Sequence, residues 1–406
     1  MVKTLHPIAD ISNVVRDSDR RVPLERESGA VTFEQSSSMD VAKAVVKALA
    51  EPLDYPPLSA SIVPGDRIAI ALDEAVPCAP EIVRGIVESL NRAGIDGDGI
   101  SVVTRDIESS QLCCAELTKD GQSAIAFVVH DPDDENELCL VGVTKKHGPL
   151  VVNRTIFDAD VVLPVGVARS DDSGVYDSLF PRFSNSETIA RFHTPASMNS
   201  EASHADRVRE TDEAGWLIGA PLVIEVVPGA DDTAAHVVAG EPHAVANEVH
   251  RLVQEQWTAR SPQRASLIIA TITGGVAAQN WQNVGRALAA AEQLVADDGA
   301  IAICSNLEQS PGESLGRLLG SDDLADTERR ILRDHAADSW PAWQLSRALQ
   351  RGPVYFLSQL QADTVEDMGM APVESLEEIV RLASRHESYI MLEDAQHAIP
   401  SVSAEQ

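Results

Sequence analysis

Short apolar runs and segments of helical period take turns along this chain. "RIAIAL" (67–72), "ISVVTR" (100–105) and "ADVVLPVG" (159–166) are apolar runs bounded by charged or turn-forming residues, and they predict buried strands. Between the first two lies "APEIVRGIVESLNRAG" (79–94), with apolar residues every three or four positions and a glycine at its end. That is the pattern of an amphipathic helix and its stop signal. Strand, helix and strand in this order predict a βαβ unit, hence a parallel pair with a right-handed crossover. "AIAFVVHD" (124–131), "LCLVGVT" (138–144) and "PLVVNR" (149–154) predict further strands, and "PLVIEVVPG" with "AAHVVAG" a hairpin-like pair. Helices are expected over 38–53 with Asp40 as N-cap, over roughly 186–193, and across "ADRVRETDEAGWLIG" and "PHAVANEVHRLVQEQWTA".

"RSPQRA" (260–265), charged and carrying serine and proline, reads as a linker. Beyond it the alternation restarts with "SLIIATI", "NWQNVGRALAAAEQLVA" and "GAIAIC", and later with "PVYFLS", "SLEEIVRLASRH" and "SYIML". The fold class is therefore α/β: two α/β domains with parallel-type sheets flanked by helices. They are placed at 1–258 and 263–406, the boundary near residue 262, with 1–50 a poorly defined lead segment.

Composition narrows the function. Apolar residues make up 44% of 406, enough for globular cores, and aromatics only 4%, so those cores are aliphatic. Lys and Arg number 32 against 63 Asp and Glu, a net charge of −31 that repels phosphate backbones and anionic lipid. Nucleic-acid and membrane-surface partners are disfavoured, and a small anionic ligand would need a local basic pocket. No apolar run is long enough to span a bilayer, and the acids near the start do not suit a secretory signal. Cys78, Cys113, Cys114, Cys139 and Cys304 are odd in number and form no CxxC, which suits reduced thiols in the cytoplasm.

In open parallel sheets ligands gather where strands end. The loops after "RIAIAL" (with Asp73), after "ADVVLPVG", at "ITGGVAAQNWQN" (272–283) and after "GAIAIC" are the places to look. Gly274 and Gly275 precede a helix whose N-terminus could meet an anion; a permissive turn is the plainer reading. His193 ends a helical segment, where capping or packing is the plainer role. His130 and Asp131 read as turn-holding groups, and Arg286 as a solvated or salt-bridged side chain. Trp340 and Trp343 read as packing residues.

The order of these landmarks resembles the nickel-dependent lactate racemases. "IVPGDRIAIALDEAVPCAPEIVRGIVESLNRAGI" resembles that family's opening strand, acid-led loop and first helix. "HDPDDENELCLVGVTKKHGPLVVNRTIFDADVVLPVG" and "SNSETIARFH" follow in family order, as do "VVAGEPHAVA" and "TGGVAAQNWQNVGRALAAAEQLVADDGAIAI". The resemblance implies two α/β domains with an active site in the cleft between them. It also implies a nickel-pincer nucleotide held covalently by a lysine, a histidine on the nickel, and two histidines that exchange protons with a 2-hydroxy acid.

Against that pattern the chain departs at named places. The family's Asp-x-Thr-Arg-Pro loop reads Asp73, Glu74, Ala75, Val76, Pro77, so its arginine is a valine. "TRDIESS" stands where Gly-Thr-His-Arg would supply one acid/base histidine, and "ARSDDS" where Pro-His would supply the other. The anchoring lysine, counted back from Pro181, is Asp177. His193 alone occupies the metal-binding place, and the family's glutamine and lysine align with Asn283 and Arg286 with one residue of slip. Aspartate cannot form the lysine's covalent link, and valine cannot fork onto a carboxylate. Two readings follow. One is a 2-hydroxy-acid racemase or epimerase contacting substrate through Asn283 and Arg286, its cofactor through Asp73, Gly274 and Gly275, and metal through His193. The other is a non-catalytic relative that has lost the nickel-pincer nucleotide and uses its cleft for a small ligand or a protein.

Overall fold

A computed structural model describes residues 8, 11–15, 19–26, 40–122, 124–144, 148–169, 174, 176–198 and 201–403. Two compact units emerge: a first of Phe33–Phe192 and Asn199–Val253, and a second of Met1–Thr32, His193–Met198 and Gln254–Gln406. After a two-residue β1 (Glu25–Arg26), the first unit runs β2 (Ile68–Leu72), β3 (Ile100–Thr104), β4 (Ala126–Val129), β5 (Leu138–Thr144), β6 (Gly148–Asn153), β7 (Val161–Val167), β8 (Val223–Pro228) and β9 (Ala234–Gly240). Six of these form one sheet in the order β4-β3-β2-β7-β8-β9, and β5 with β6 forms a separate antiparallel pair. All pairings in the larger sheet are parallel except β8 with β9, the expected hairpin.

β2 is the pivot of this sheet. Its register sets Leu72 beside Thr104 of β3 on one side and Val165 of β7 on the other. The chain proceeds from β2 to β3 and β4 in one direction and resumes with β7 and β8 in the other. That reversal is a topological switch point, the place where a crevice opens beyond the carboxyl ends. Every residue of β2 is buried, which accounts for an apolar run without alternation. Ile68, Ile70 and Leu72 enter the main core with Ile82, Val83 and Ile86 of the helix Ala79–Arg92. The helix Val41–Ala50 packs on this helix, capped as expected by Asp40, whose side chain accepts from Lys43 N at 3.2 Å.

The second unit continues with β10 (Thr258–Ser261), β11 (Ala265–Thr271), β12 (Val295–Cys304), β13 (Val354–Leu357), β14 (Ala371–Val373), β15 (Tyr389–Leu392) and β16 (Ile399–Val402). Its five-stranded sheet is parallel throughout, in the order β14-β13-β12-β11-β15. Ile268 and Ala270 of β11 enter one core cluster, Leu267 and Ile269 another, so both faces are covered and the run Leu267–Ala270 is apolar throughout.

Two expectations change. "RSPQRA" is only partly a linker: Arg260 and Ser261 close β10, which pairs with β1 and β16. The lead segment does not sit wholly with the first domain. Val22 N donates to Tyr389 O at 2.8 Å, and Ile11 and Val15 pack into the β11–β12–β15 core of the second unit. The physical reason is that short segments are placed by distant partners, which local pattern does not encode. Among the described residues no helix is long and apolar enough to cross a membrane.

Candidate functional site

The first unit's switch point is lined with charge. Asp73 follows β2, Arg105 follows β3, and Arg169 stands two residues past the end of β7. Parallel strands end side by side, so these side chains share one edge of the sheet. A fourth group arrives from the segment 176–184, which lies against β7 because Gly166 has no side chain. A Cβ there would stand 2.6 Å from Ser178 Cβ and 2.5 Å from Glu225 Oε1. The segment turns through a cis Phe180–Pro181 bond, buries Phe180 and Phe183, and delivers Asp177 and Arg182 to the edge.

Asp73 is the hub. Its side chain has no exposure at all, and its Oδ1 accepts from Glu74 N at 2.8 Å. Arg169 Nη1 lies 3.3 Å and Arg182 Nε 3.9 Å from Oδ2, and Arg105 Nη1 lies 3.6 Å from Oδ1. Arg182 Nη2 also donates to Asp177 Oδ2 at 2.9 Å, and Arg105 Nη1 lies 3.0 Å from Glu74 Oε1. Arg169 reaches the Glu74 carbonyl through Nη2 at 3.4 Å. Burial would push the Asp73 carboxyl up, but Arg182, Arg169, Arg105 and the Glu74 N–H outweigh it and hold it below the usual carboxylate range. Three guanidinium groups therefore face three carboxylates in a mostly dry setting, where neither sign is tolerated without the other.

His130 borders this cluster. Its Nε2 donates to Ser184 O at 2.9 Å, and Nδ1 accepts from Asn153 Nδ2 at 3.3 Å, a tautomer fixed by the carbonyl. Asp131 Oδ1 accepts from Asp133 N at 3.0 Å, the turn-holding role expected of it. Cys113, in the helix packed on β3, has its thiol pushed up to about 12 by burial, which suits an inert packing residue.

The other residues singled out in the sequence belong to the second unit. His193 is buried, and its carbonyl accepts from Trp340 N at 3.1 Å and Ser339 Oγ at 3.3 Å at the start of the helix Ser339–Arg351. Asn283 and Arg286 are one turn apart on the helix Trp281–Leu294. Arg286 Nη1 donates to Asn283 Oδ1 at 2.9 Å, and Asn283 Nδ2 donates to Ala278 O at 2.8 Å. Gly274 adopts φ +103°, the left-handed region that favours glycine, and Gly275 leads into a short 3₁₀ turn. Trp340 is buried, and Trp343 donates to Glu328 Oε1 at 3.1 Å under the Arg347 guanidinium, so both pack.

Sequence reasoning placed Asp73 at this edge and passed over Arg105, Arg169 and Arg182. A usable signal was present: Arg105 and Arg169 each stand at most two residues past an apolar parallel strand. Residues 170–173, the acidic part of "ARSDDS", lie outside the described residues.

Residues 17–206 match the lactate racemase N-terminal domain, and residues 261–399 match the lactate racemase C-terminal domain. The lactate racemase of Thermoanaerobacterium thermosaccharolyticum is 23% identical over 278 residues, 63% of this chain and 64% of that protein, so the match spans under two thirds of the relative's length. The solved apoprotein of lactate racemase from that organism superposes with a TM-score of 0.72 at 20% identity, covering 89% of this chain and 93% of that one. A Thermotoga maritima protein superposes at 0.67 with 12% identity, covering 89% and 97%. At these identities the two structures establish the shared fold.

Proposed function

The chain belongs to the lactate racemase family, and we propose that it holds a small anion at the Asp73 edge without racemising a 2-hydroxy acid through a nickel-pincer nucleotide. The observation that carries this reading is the Asp177–Arg182 pair at 2.9 Å. Asp177 stands where the family resemblance puts the lysine that anchors the cofactor. A carboxylate has no amine to form that link, and here it is already committed to a buried guanidinium.

The proton-transfer places point the same way. Arg105 follows Thr104 as histidine follows threonine in the family's Gly-Thr-His-Arg, and Arg169 follows Ala168 where the family has Pro-His. A guanidinium stays protonated at neutral pH, so it offers hydrogen-bond donors and charge but exchanges no proton with a substrate carbon. Among the described residues no group of three His, Cys, Asp or Glu is arranged to hold a metal ion. The donor set at this edge is arginine-rich, which suits anions and not a divalent cation. The residues present do not fit the nickel cofactor.

A divergent racemase or epimerase is the competing reading, favoured by His193, which stands in the family's metal-binding place. Expression alongside the cofactor-making enzymes separates the two. The reading here expects no stoichiometric nickel, no visible chromophore and no interconversion of D- and L-lactate by chiral chromatography. Bound nickel with turnover that disappears in His193→Ala would overturn it.

A further inference from the structure

Within the charged edge, Arg105 differs from its neighbours. Arg169 and Arg182 each direct at least one hydrogen bond to a carboxylate. Arg105 has the contacts with Glu74 Oε1 at 3.0 Å and Asp73 Oδ1 at 3.6 Å, yet its buried Nη1 makes no bond of hydrogen-bond geometry. Its side chain is only 16% exposed. A guanidinium this dry, paired by charge but not by direction, retains a planar fork of donors for an acceptor that can meet it in plane.

The two carboxylates beside it are unequal. Asp73 is sealed and held by a backbone N–H and two further arginines. Glu74 is 29% exposed at the side chain, and it meets Asp73 through its backbone N–H and Arg169 through its carbonyl, not through its carboxylate. An arriving oxyanion would displace Glu74 and leave Asp73 in place, because moving Asp73 would take the shared carboxylate from three arginines, the buried Arg182 among them.

We propose that Arg105 is the anchor for a small oxyanion, carboxylate or phosphate, and that Glu74 is an internal competitor occupying the same guanidinium. This deepens the small-anion reading above and rests on it. Val76 has removed the arginine expected in the Asp73 loop, and Arg105 supplies a cation at the same edge from the neighbouring strand.

The test is calorimetric titration of the full-length protein with malonate and, separately, inorganic phosphate at low ionic strength. Wild type binds at least one probe, and the preferred probe tells a carboxylate ligand from a phosphate. Arg105→Gln weakens binding about ten- to a hundredfold, the worth of a lost charge-assisted hydrogen bond. Arg105→Lys falls between, keeping charge and losing the fork. Glu74→Gln tightens binding several-fold, an outcome that a merely structural Glu74–Arg105 pair would not produce. Should Arg105→Gln fail to fold, Arg105→Lys and Glu74→Gln decide. Arg92→Gln, an exposed control on the helix Ala79–Arg92, leaves affinity unchanged. Binding that persists in Arg105→Gln, or that weakens or stays the same in Glu74→Gln, overturns the assignment while leaving an anion site at this edge intact. Absence of binding by both probes overturns the anion site itself, and a nickel-dependent racemase activity bears only on the earlier reading.

Discussion

The two units finish their parallel sheets in opposite chemistries. Beyond β2, β3 and β7 the first unit sets arginines against carboxylates around Asp73. Beyond β11, β12 and β13 the second unit sets amides against hydroxyls. Gln279 Oε1 accepts from Ser305 Oγ and Asn306 N, both at 2.8 Å, and its Nε2 donates to Gly274 O at 3.2 Å. Gln359 Nε2 then donates to Asn306 Oδ1 at 3.3 Å. A neutral network costs little to desolvate once each partner is met, and its directed bonds fix the loops. A charged network costs far more to dry, and it stays folded only while the signs balance. The amide edge is therefore a clamp, whereas the charged edge can exchange one of its own carboxylates for a ligand's.

The largest test of that contrast is Asp73→Asn. The substitution keeps shape and most hydrogen bonds but leaves three guanidinium groups, Arg182 buried among them, short of one negative charge. Breaking a buried pair in this way costs about 3–5 kcal/mol. Urea unfolding followed by circular dichroism should show that loss, and added anion should restore part of it by binding the folded state. A variant as stable as wild type would mean that Asp73 is not what balances the cluster.

Gln279→Ala is the matching test at the amide edge. It removes the acceptor of Ser305 Oγ and Asn306 N on one side and a donor to the Gly274 carbonyl on the other. Removing neutral hydrogen-bond partners costs about 1–3 kcal/mol, so the loss should be smaller than for Asp73→Asn and insensitive to added anion. Equal losses, or rescue by anion at both edges, would erase the distinction between clamp and exchange site.

Particular residues show how much of this was written locally. β2, the helix after it and Asp73 at its end are all readable, because a doubly buried strand is apolar at each position and stops at the first polar one. Gly274 is readable for the same local reason, since its φ of +103° suits glycine. The convergence on Asp73 is not readable. It requires β7 to lie beside β2, pairing Leu72 with Val165, ninety-odd positions further along. It also requires the 176–184 segment to fold back onto Gly166. Gln279 reads as an ordinary loop polar residue until β12 brings Ser305 to it. β10 is misread, its start as the end of a helix and Arg260–Ser261 as linker, because its residues acquire strand geometry only from β1 and β16. Elements follow from local pattern, and sites follow from which strands become neighbours.

The smallest expected effect compares two histidines, one in each unit. Burial depresses the pKa of His130, and Arg105 depresses it further, against Ser184 O and Asp131, which raise it. Burial also depresses His386, opposed by a bond to the Ser266 backbone, with no charged group contributing. Both folded values lie below the ordinary imidazole value. Each group's contribution to stability is therefore present above about pH 6.5 and is lost as pH falls through its folded pKa. Replacing Arg105 by glutamine removes a cation from beside His130 only. Proton NMR titration of the imidazole Cε1–H signals should then show the His130 midpoint moving up and the His386 midpoint staying where it is. The acid-side loss of stability should shrink with it, by the part that Arg105 contributes. If His130 does not move, the field of the arginine cluster ends at its own carboxylates, and the charged edge acts on ligands at contact alone.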